Sequence, residues 1–517
     1  HMLGLSLPEV SDQVADLVSR GLFSQDNDGS IAFDHSLIRD AVLETLLSAQ
    51  RVDLHSRALA AYATVAPERL EADPGIEAAH LLGAARPAEA IPKLTEAARR
   101  AIAVGNMGEA MASLRRAEAA LADVPAGRVR DDLEMMTQFF IGDALVQTRG
   151  FADRAVNAAY QRSLELCLAS AGGNETEFQI VWGIWAHMLV VGETATAARM
   201  ATRMDEIARD LPELAVLAES ARSVNAFSVG DFAAQEAAWT RTSALYDFGK
   251  HRFQGVTYLM DGLELALLFR VHGRFIAGDA PGWRAAMAEA RAHEKRLALP
   301  FLEPYIRVFG AGAHAYAVPE SDIRSELESA TGLAAELGQP FWMMAGQLWL
   351  TAARVRLEGA AAFASQEAAV QLAQVTGLRL TLSFHEALLA RSQAEQGRHE
   401  EAQTLIGRAL AAIAAGQDRV FEAEVLRQKA EILLLARPDD VEPARAILTR
   451  AASLARAAGA RAWSALIAAS QARLLARSEG QATAEEWLRD QLVGLVRPGS
   501  EDHPAFRSAA QVFDRPI

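Results

Sequence analysis

Glycine recurs along this chain at a spacing that few folds can use. Gly105, Gly150, Gly192, Gly230, Gly278, Gly359 and Gly397 are separated by 45, 42, 38, 48, 81 and 38 residues. The long interval is about two periods, and the absent mark falls near Val318-Pro319. A period of about 40 residues fits one antiparallel helix pair per unit, stacked on the next. The stretches between glycines are rich in alanine and leucine at helical spacing, with arginine and glutamate on the other faces. Counted from the glycine, a small residue stands at +5, a large apolar one at +9 and a small one at +12. Gly105 with Ala110, Leu114 and Ala117 fits, as does Gly397 with Ala402, Ile406 and Ala409. Asp439 replaces the glycine ahead of Ala444, Leu448 and Ala451, while Gly150 and Gly192 keep only Ala155 and Ala197. Alanine lets paired helices approach closely, and the bulky residue fills the groove against the neighbour. An unrelated alanine-rich bundle is the alternative.

A length of 517 residues suits such an array or about three compact domains. Lys and Arg number 51 against 66 Asp and Glu, a net charge of −15. That balance excludes a broad basic face for nucleic acid or anionic lipid, so neither is an expected partner. Cys167 stands alone, which excludes an intramolecular disulfide framework and a cysteine metal cluster and fits the reducing cytoplasm. Apolar runs are broken by charge, as in Leu263-Glu264-Leu265-Ala266-Leu267-Leu268-Phe269-Arg270, so no spanning segment is expected. His1 precedes Met2, which is no natural start; the chain reads as a piece of a longer protein.

The first fifty residues differ from the rest. Residues 8–20 read as a helix with Val10, Val14, Leu17 and Val18 on one side. Strand signals at 22–25 and 30–33 flank the turn Asp26-Asn27-Asp28-Gly29. A second helix is predicted over 36–49, with Leu37, Ile38, Ala41, Val42, Thr45 and Leu46 on one side. Helix, hairpin, helix is the closing part of a winged-helix unit, here with few basic residues for DNA. The expected organisation is therefore 1–50 as that partial unit, 51–497 as helical repeats and 498–517 as a tail.

The repeat signature resembles a degenerate, lengthened tetratricopeptide pattern. Phe33-Asp34-His35-Ser36-Leu37-Ile38-Arg39-Asp40-Ala41-Val42-Leu43-Glu44-Thr45-Leu46-Leu47, with Arg51, Leu54 and His55, resembles a segment of STAND-class signalling ATPases. The nearest types are those fused to class III adenylate cyclases and the large maltose-type and LuxR-type regulators. Asp34 and Leu43 depart from the usual basic and aromatic residues. Residues 422–434 and 451–475 are similar to late helices of the same solenoids. The resemblance implies an all-α, right-handed superhelix of about nine to ten helix pairs after a partial winged helix. It implies a non-catalytic sensor that binds a ligand or protein partner and controls its own ATPase module, with a cyclase as one output. ATP or ADP belongs to the intact parent, where His35 would sense the nucleotide; no cofactor is expected in this piece. A stand-alone interaction scaffold is the alternative.

No phosphate-loop motif occurs, and Gly249-Lys250 lacks its first glycine and hydroxyl residue. His385-Glu386 and His399-Glu400 begin like a zinc motif but continue to Leu389 and Gln403. Cys167 among leucines reads as a buried thiol. Aromatics and arginines concentrate in the middle third: Trp182, Trp185, Arg270, His272, Arg274, Tyr305, Arg307, Trp342 and Trp349. They are the candidate ligand residues on a concave face, with gap-filling between helices as the plainer role.

Overall fold

The computed structural model describes residues 7–25, 31–170, 174–316 and 321–513. The chain starts with α1 (Leu7–Ser19), an antiparallel hairpin of β1 (Phe23–Gln25) and β2 (Ile31–Phe33), and α2 (Ser36–Thr45). Next come α3 (Ser48–Val65), α4 (Pro67–Ala72), α5 (Pro74–Gly83), α6 (Pro87–Ala103), α7 (Met107–Ala120), α8 (Arg128–Arg149) and α9 (Arg154–Ser170). Then follow α10 (Asn174–Val190), α11 (Thr194–Ala208), α12 (Ala215–Ser228), α13 (Phe232–Leu245), the short α14 (Phe248–His251) and α15 (Gln254–Thr257), α16 (Gly262–Ile276) and α17 (Ala280–Leu297). The last are α18 (Glu303–Gly312), α19 (Ser321–Glu336), α20 (Pro340–Glu358), α21 (Phe363–Thr376), α22 (Leu382–Glu395), α23 (His399–Ala414), α24 (Glu422–Ala436), α25 (Val441–Ala457), α26 (Arg461–Glu479), α27 (Gln481–Leu495) and α28 (Pro504–Ala510). The protein is an all-α helical repeat, and among the described residues the hairpin is its only sheet.

Two compact units divide the chain: His1–Ala144 with Glu165–Ala171, and Leu145–Leu164 with Gly172–Ile517. The helix–hairpin–helix segment falls in the first unit together with the early repeats. Its hairpin pairs Phe23 with Phe33, whose rings meet edge-on at 4.7 Å. The predicted turn at 26–29 lies outside the described residues, as does the repeat mark near Val318-Pro319.

The periodic glycines close the turns between paired helices. Gly105, Gly230 and Gly278 have positive φ and are each followed by Asn106, Asp231 or Asp279. Those side chains accept from Glu109, Ala234 and Gly282 backbone N–H groups, capping α7, α13 and α17. A left-handed glycine followed by an N-cap residue turns the chain in the fewest residues. At Gly278 a side chain has no room either, since a Cβ would come within 2.8 Å of Phe506.

The alanine signature is the buried stripe of the outer helices. Ala110, Leu114 and Ala117 on α7, Ala402, Ile406 and Ala409 on α23, and Ala444, Leu448 and Ala451 on α25 are all buried. After Gly150 the stripe slips by one residue to Val156, Ala159 and Tyr160, leaving Ala155 half-buried. In the second unit the inner helices α10, α12, α16, α18, α20, α22, α24 and α26 are apolar on most sides instead. On α16 that includes Leu265, Leu267, Leu268, Phe269, Val271, Phe275 and Ile276. A helix buried on most sides must be covered by neighbours in every direction.

That cover comes from the second unit winding back on itself. The backbone N–H groups of Arg379 and Leu380 donate to the Val190 carbonyl at 2.8 and 3.1 Å. Thr194 Oγ1 donates to the Gly416 carbonyl and the Ala280 N–H to Ser500 Oγ, pairs 222 and 220 residues apart. One revolution therefore takes about five helix pairs. The axis is filled by Tyr316, whose ring lies 5.6, 5.1, 5.5 and 5.5 Å from those of Trp349, Phe384, Phe421 and Trp463. Within the segment expected as a tail, Pro504–Ala510 form α28, which buries Phe506 and Ala509 against α26. His503 caps it by accepting from the Ala505 N–H.

Asp418 ties two of these turns together. It sits at φ +45°, is buried, and accepts from the Thr381 and Ser383 N–H groups and from Ser383 Oγ at 3.1–3.4 Å. Burial outweighs these bonds and raises its carboxyl to about 6. Asp418→Ala is expected to cost about 3 kcal/mol in urea unfolding, from orphaned donors and a left-handed alanine. Asp418→Asn, which tolerates that backbone and keeps one acceptor, is expected to cost less.

Candidate functional site

Most of the predicted ligand residues belong to the inner layer of the second unit. Trp182 and Trp185 are 4% and 0% exposed, with ring centroids 4.9 Å apart. Their indole N–H groups donate to the Tyr258 carbonyl and to Asn225 Oδ1. His272 is fully buried, with Nδ1 2.6 Å from the Tyr316 hydroxyl and Nε2 2.8 Å from the Phe309 carbonyl. Trp349 packs 4.5 Å from His385, and Trp342 stacks 4.7 Å from Tyr305.

Trp185, Tyr305, Trp342 and Trp349 line one cavity with Phe151, Phe269 and Phe309. Its volume is about 50 Å³. Each water needs about 30 Å³ and two to four polar partners, so this apolar space is too small and too dry for a sizeable ligand. The aromatics here fill the axis between helices.

The arginines point elsewhere. Arg270 lies over the Trp239 ring at 4.8 Å and donates to Glu236. Arg274 bridges Glu236 and Asp279, the α17 cap. Arg307 alone lines an open groove, where it pairs with Glu303 at 3.3 Å. The predicted set is thus divided among an axis, an ion-pair cluster and a groove.

That groove is the larger site, about 790 Å³ in volume, along α17, α18 and the first turns of α19. Leu268, Met287, Ala290, Leu299 and Ile306 form an apolar floor, and Arg291, Lys295, Glu294 and Glu326 stand beside Arg307 and Glu303. Burial, with Glu303 adding to it, raises the Glu294 carboxyl. A groove with an apolar floor and charges of both signs can hold an amphipathic segment or a mixed-polarity ligand. Sequence reasoning found only Arg307 here, because the charged residues of the groove look like any solvated helix face.

Sequence reasoning also passed over Glu264, the one charge inside the apolar run 263–269. It is 1% exposed, and neither carboxylate oxygen has a hydrogen-bond partner. Burial drives its carboxyl well above the ordinary range, with Asp261 adding to the shift. Asp261 itself caps α16 and meets the Tyr246 hydroxyl at 2.8 Å and His293 Nε2 at 2.9 Å. A lone carboxylate inside the apolar run 263–269 was the available signal.

His35, in the first unit, stands just before α2 with its side chain 72% exposed and Nε2 3.7 Å from Asp34. Among the described residues no group of three or more His, Cys, Asp or Glu could hold a metal ion, and no helix is long and apolar enough to cross a membrane. Cys167 is buried and free of disulfide.

No family model matches the chain, and no curated protein matches it. A solved Rap protein, complexed with competence and sporulation factor, is similar over 70% of this chain and 97% of its own, at 12% identity and a TM-score of 0.49. The repeat architecture stands on the helix pairing described above.

Proposed function

We propose that this chain is the non-catalytic sensory arm of a STAND-class signalling ATPase. The observation that carries this reading is the uncovered apolar surface of the helix–hairpin–helix segment. Ile31, Leu37, Val42 and Leu47 are 46%, 80%, 46% and 70% exposed. Side chains of this kind in one short segment ask for a packing partner, and the ATPase core is the partner that the residue 33–47 motif implies. In that parent His35 would face the bound ATP or ADP. The α17–α19 groove is the proposed seat of the ligand or partner protein. Its occupant would act only by preferring one arrangement of the parent over another. A class III adenylate cyclase is the proposed output.

The test uses the protein encoded with its natural upstream sequence. ATP turnover is measured for the parent and for Leu37→Glu and Met287→Glu variants. Leu37→Glu is expected to change basal turnover severalfold by breaking the arm's contact with the ATPase. Met287→Glu is expected to leave basal turnover in place and remove its response to the cognate partner. A parent without ATP turnover, or turnover indifferent to both changes, supports a free-standing interaction scaffold instead.

A further inference from the structure

The α17–α19 groove sets six charged side chains beside its apolar floor, and they are unevenly paired. Arg291 meets Glu326 at 2.5 Å, and Arg307 meets Glu303 at 3.3 Å. Lys295 is exposed, so water solvates its ammonium without a protein partner. Glu294 is half-buried, and its carboxylate has no ion-pair or hydrogen-bond partner among the described residues.

A half-buried carboxylate in this state favours a cation that can reach it and donate hydrogen bonds to it. Burial, with Glu303 adding to it, raises the Glu294 carboxyl even though Arg307, Arg291 and Lys295 pull the other way. The cations of the groove thus leave this carboxylate short of positive charge. Arg291 and Arg307 are each committed to another carboxylate, and Lys295 forms no ion pair with it. The net charge of −15 adds a long-range attraction for cations.

The floor and the size of the groove set the rest of the ligand. Leu268, Ala290 and Ile306 are buried, and Met287 and Leu299 are partly so, which gives an apolar body a surface to cover. Ser325 and Ser329 on α19 form an exposed wall. The volume of about 790 Å³ falls within the range of about 300–1,000 Å³ for small-molecule sites. A stable protein partner would instead cover about 800 Å² of this chain. The groove therefore suits a small molecule better than a protein segment.

We propose that the α17–α19 groove binds a small organic cation, an ammonium or guanidinium group on an apolar body, with the cation seated on Glu294. The proposal rests on the reading of this groove as the ligand's seat and names the class of that ligand. Isothermal titration of this chain near neutral pH with hexylammonium, and separately with hexanoate, tests it. Saturable binding of hexylammonium is expected, at least about tenfold tighter than that of hexanoate. Glu294→Gln is expected to weaken hexylammonium about tenfold, the worth of one charged hydrogen-bonding partner, and to leave hexanoate no weaker. Ser329→Trp, at an exposed wall position, is expected to weaken hexylammonium by filling the space. No saturable binding of hexylammonium, equal affinities for the two probes, or hexylammonium isotherms unchanged by either variant overturns the proposal. So does a blocked peptide of about five residues, leucines around one lysine, that binds more than about a hundredfold tighter than hexylammonium, since the occupant is then a protein segment. The titration needs no attached ATPase, so its failure leaves the turnover test of the parent standing. A parent whose turnover ignores Met287→Glu likewise leaves the binding site standing.

Discussion

Trp463→Ala is expected to lower the unfolding free energy by about 3–5 kcal/mol, the range for emptying a buried tryptophan site. Trp463 is fully buried and stands 5.5 Å from Tyr316 and 6.4 Å from Phe384, where four helices meet at the axis. The hole cannot collapse easily, because its walls come from helices held apart by their own outer partners. Trp463→Phe is expected to cost far less than the lost volume suggests. The indole Nε1 has no hydrogen-bond partner, and removing a buried unpaired donor returns about 1–3 kcal/mol. Chemical denaturation followed by circular dichroism distinguishes the two variants. Equal losses would mean that the axis is not the rigid centre described here.

Glu264→Gln is expected to stabilise the protein at pH 7. The wild-type carboxyl is buried without partners, so its folded-state pKa is raised. The folded state therefore holds a proton that the unfolded chain gives up above about pH 4.5. The stability from this group is complete below that pH and is lost as pH rises toward the folded-state pKa, at about 1.4 kcal/mol per pH unit. Glutamine mimics the protonated acid and loses nothing. The variant and wild type should match near pH 4 and diverge with rising pH, the variant being the more stable. Urea midpoints at pH 4, 5.5 and 7 check this. A variant weaker than wild type at pH 7 would mean that Glu264 is ionised and held by partners.

The repeat was legible in sequence because its physics is local. A left-handed turn residue followed by an N-cap excludes most amino acids, so Gly230-Asp231 and Gly278-Asp279 announce their turns. Ala402, Ile406 and Ala409 likewise report one face of one helix. The winding of the second unit was not legible. It depends on small rotations between successive pairs, summed over residues more than 200 apart, and no short-range pattern encodes that sum. The tryptophans suffered from the same gap. Trp182, Trp185 and Trp349 would be prominent on an open concave face, but a tightly wound axis needs large side chains to fill it. The groove depends on how neighbouring helices meet rather than on any one of them, so only Arg307 among the candidates lines it. In α28 a local cue was present, since Pro504 at a helix start after His503 is a sound beginning for a short helix.

The central structural claim is that the second unit closes on itself after one revolution. Amide hydrogen exchange of the segment 377–382 tests it most directly. In an open array this linker between α21 and α22 would exchange at the rate of an exposed loop. Closure places the Arg379 and Leu380 N–H groups on the Val190 carbonyl, beneath α10. The account predicts that these two amides are protected to the level of the inner helices. Exchange at the rate of a free loop would contradict it, and with it the filled axis described here.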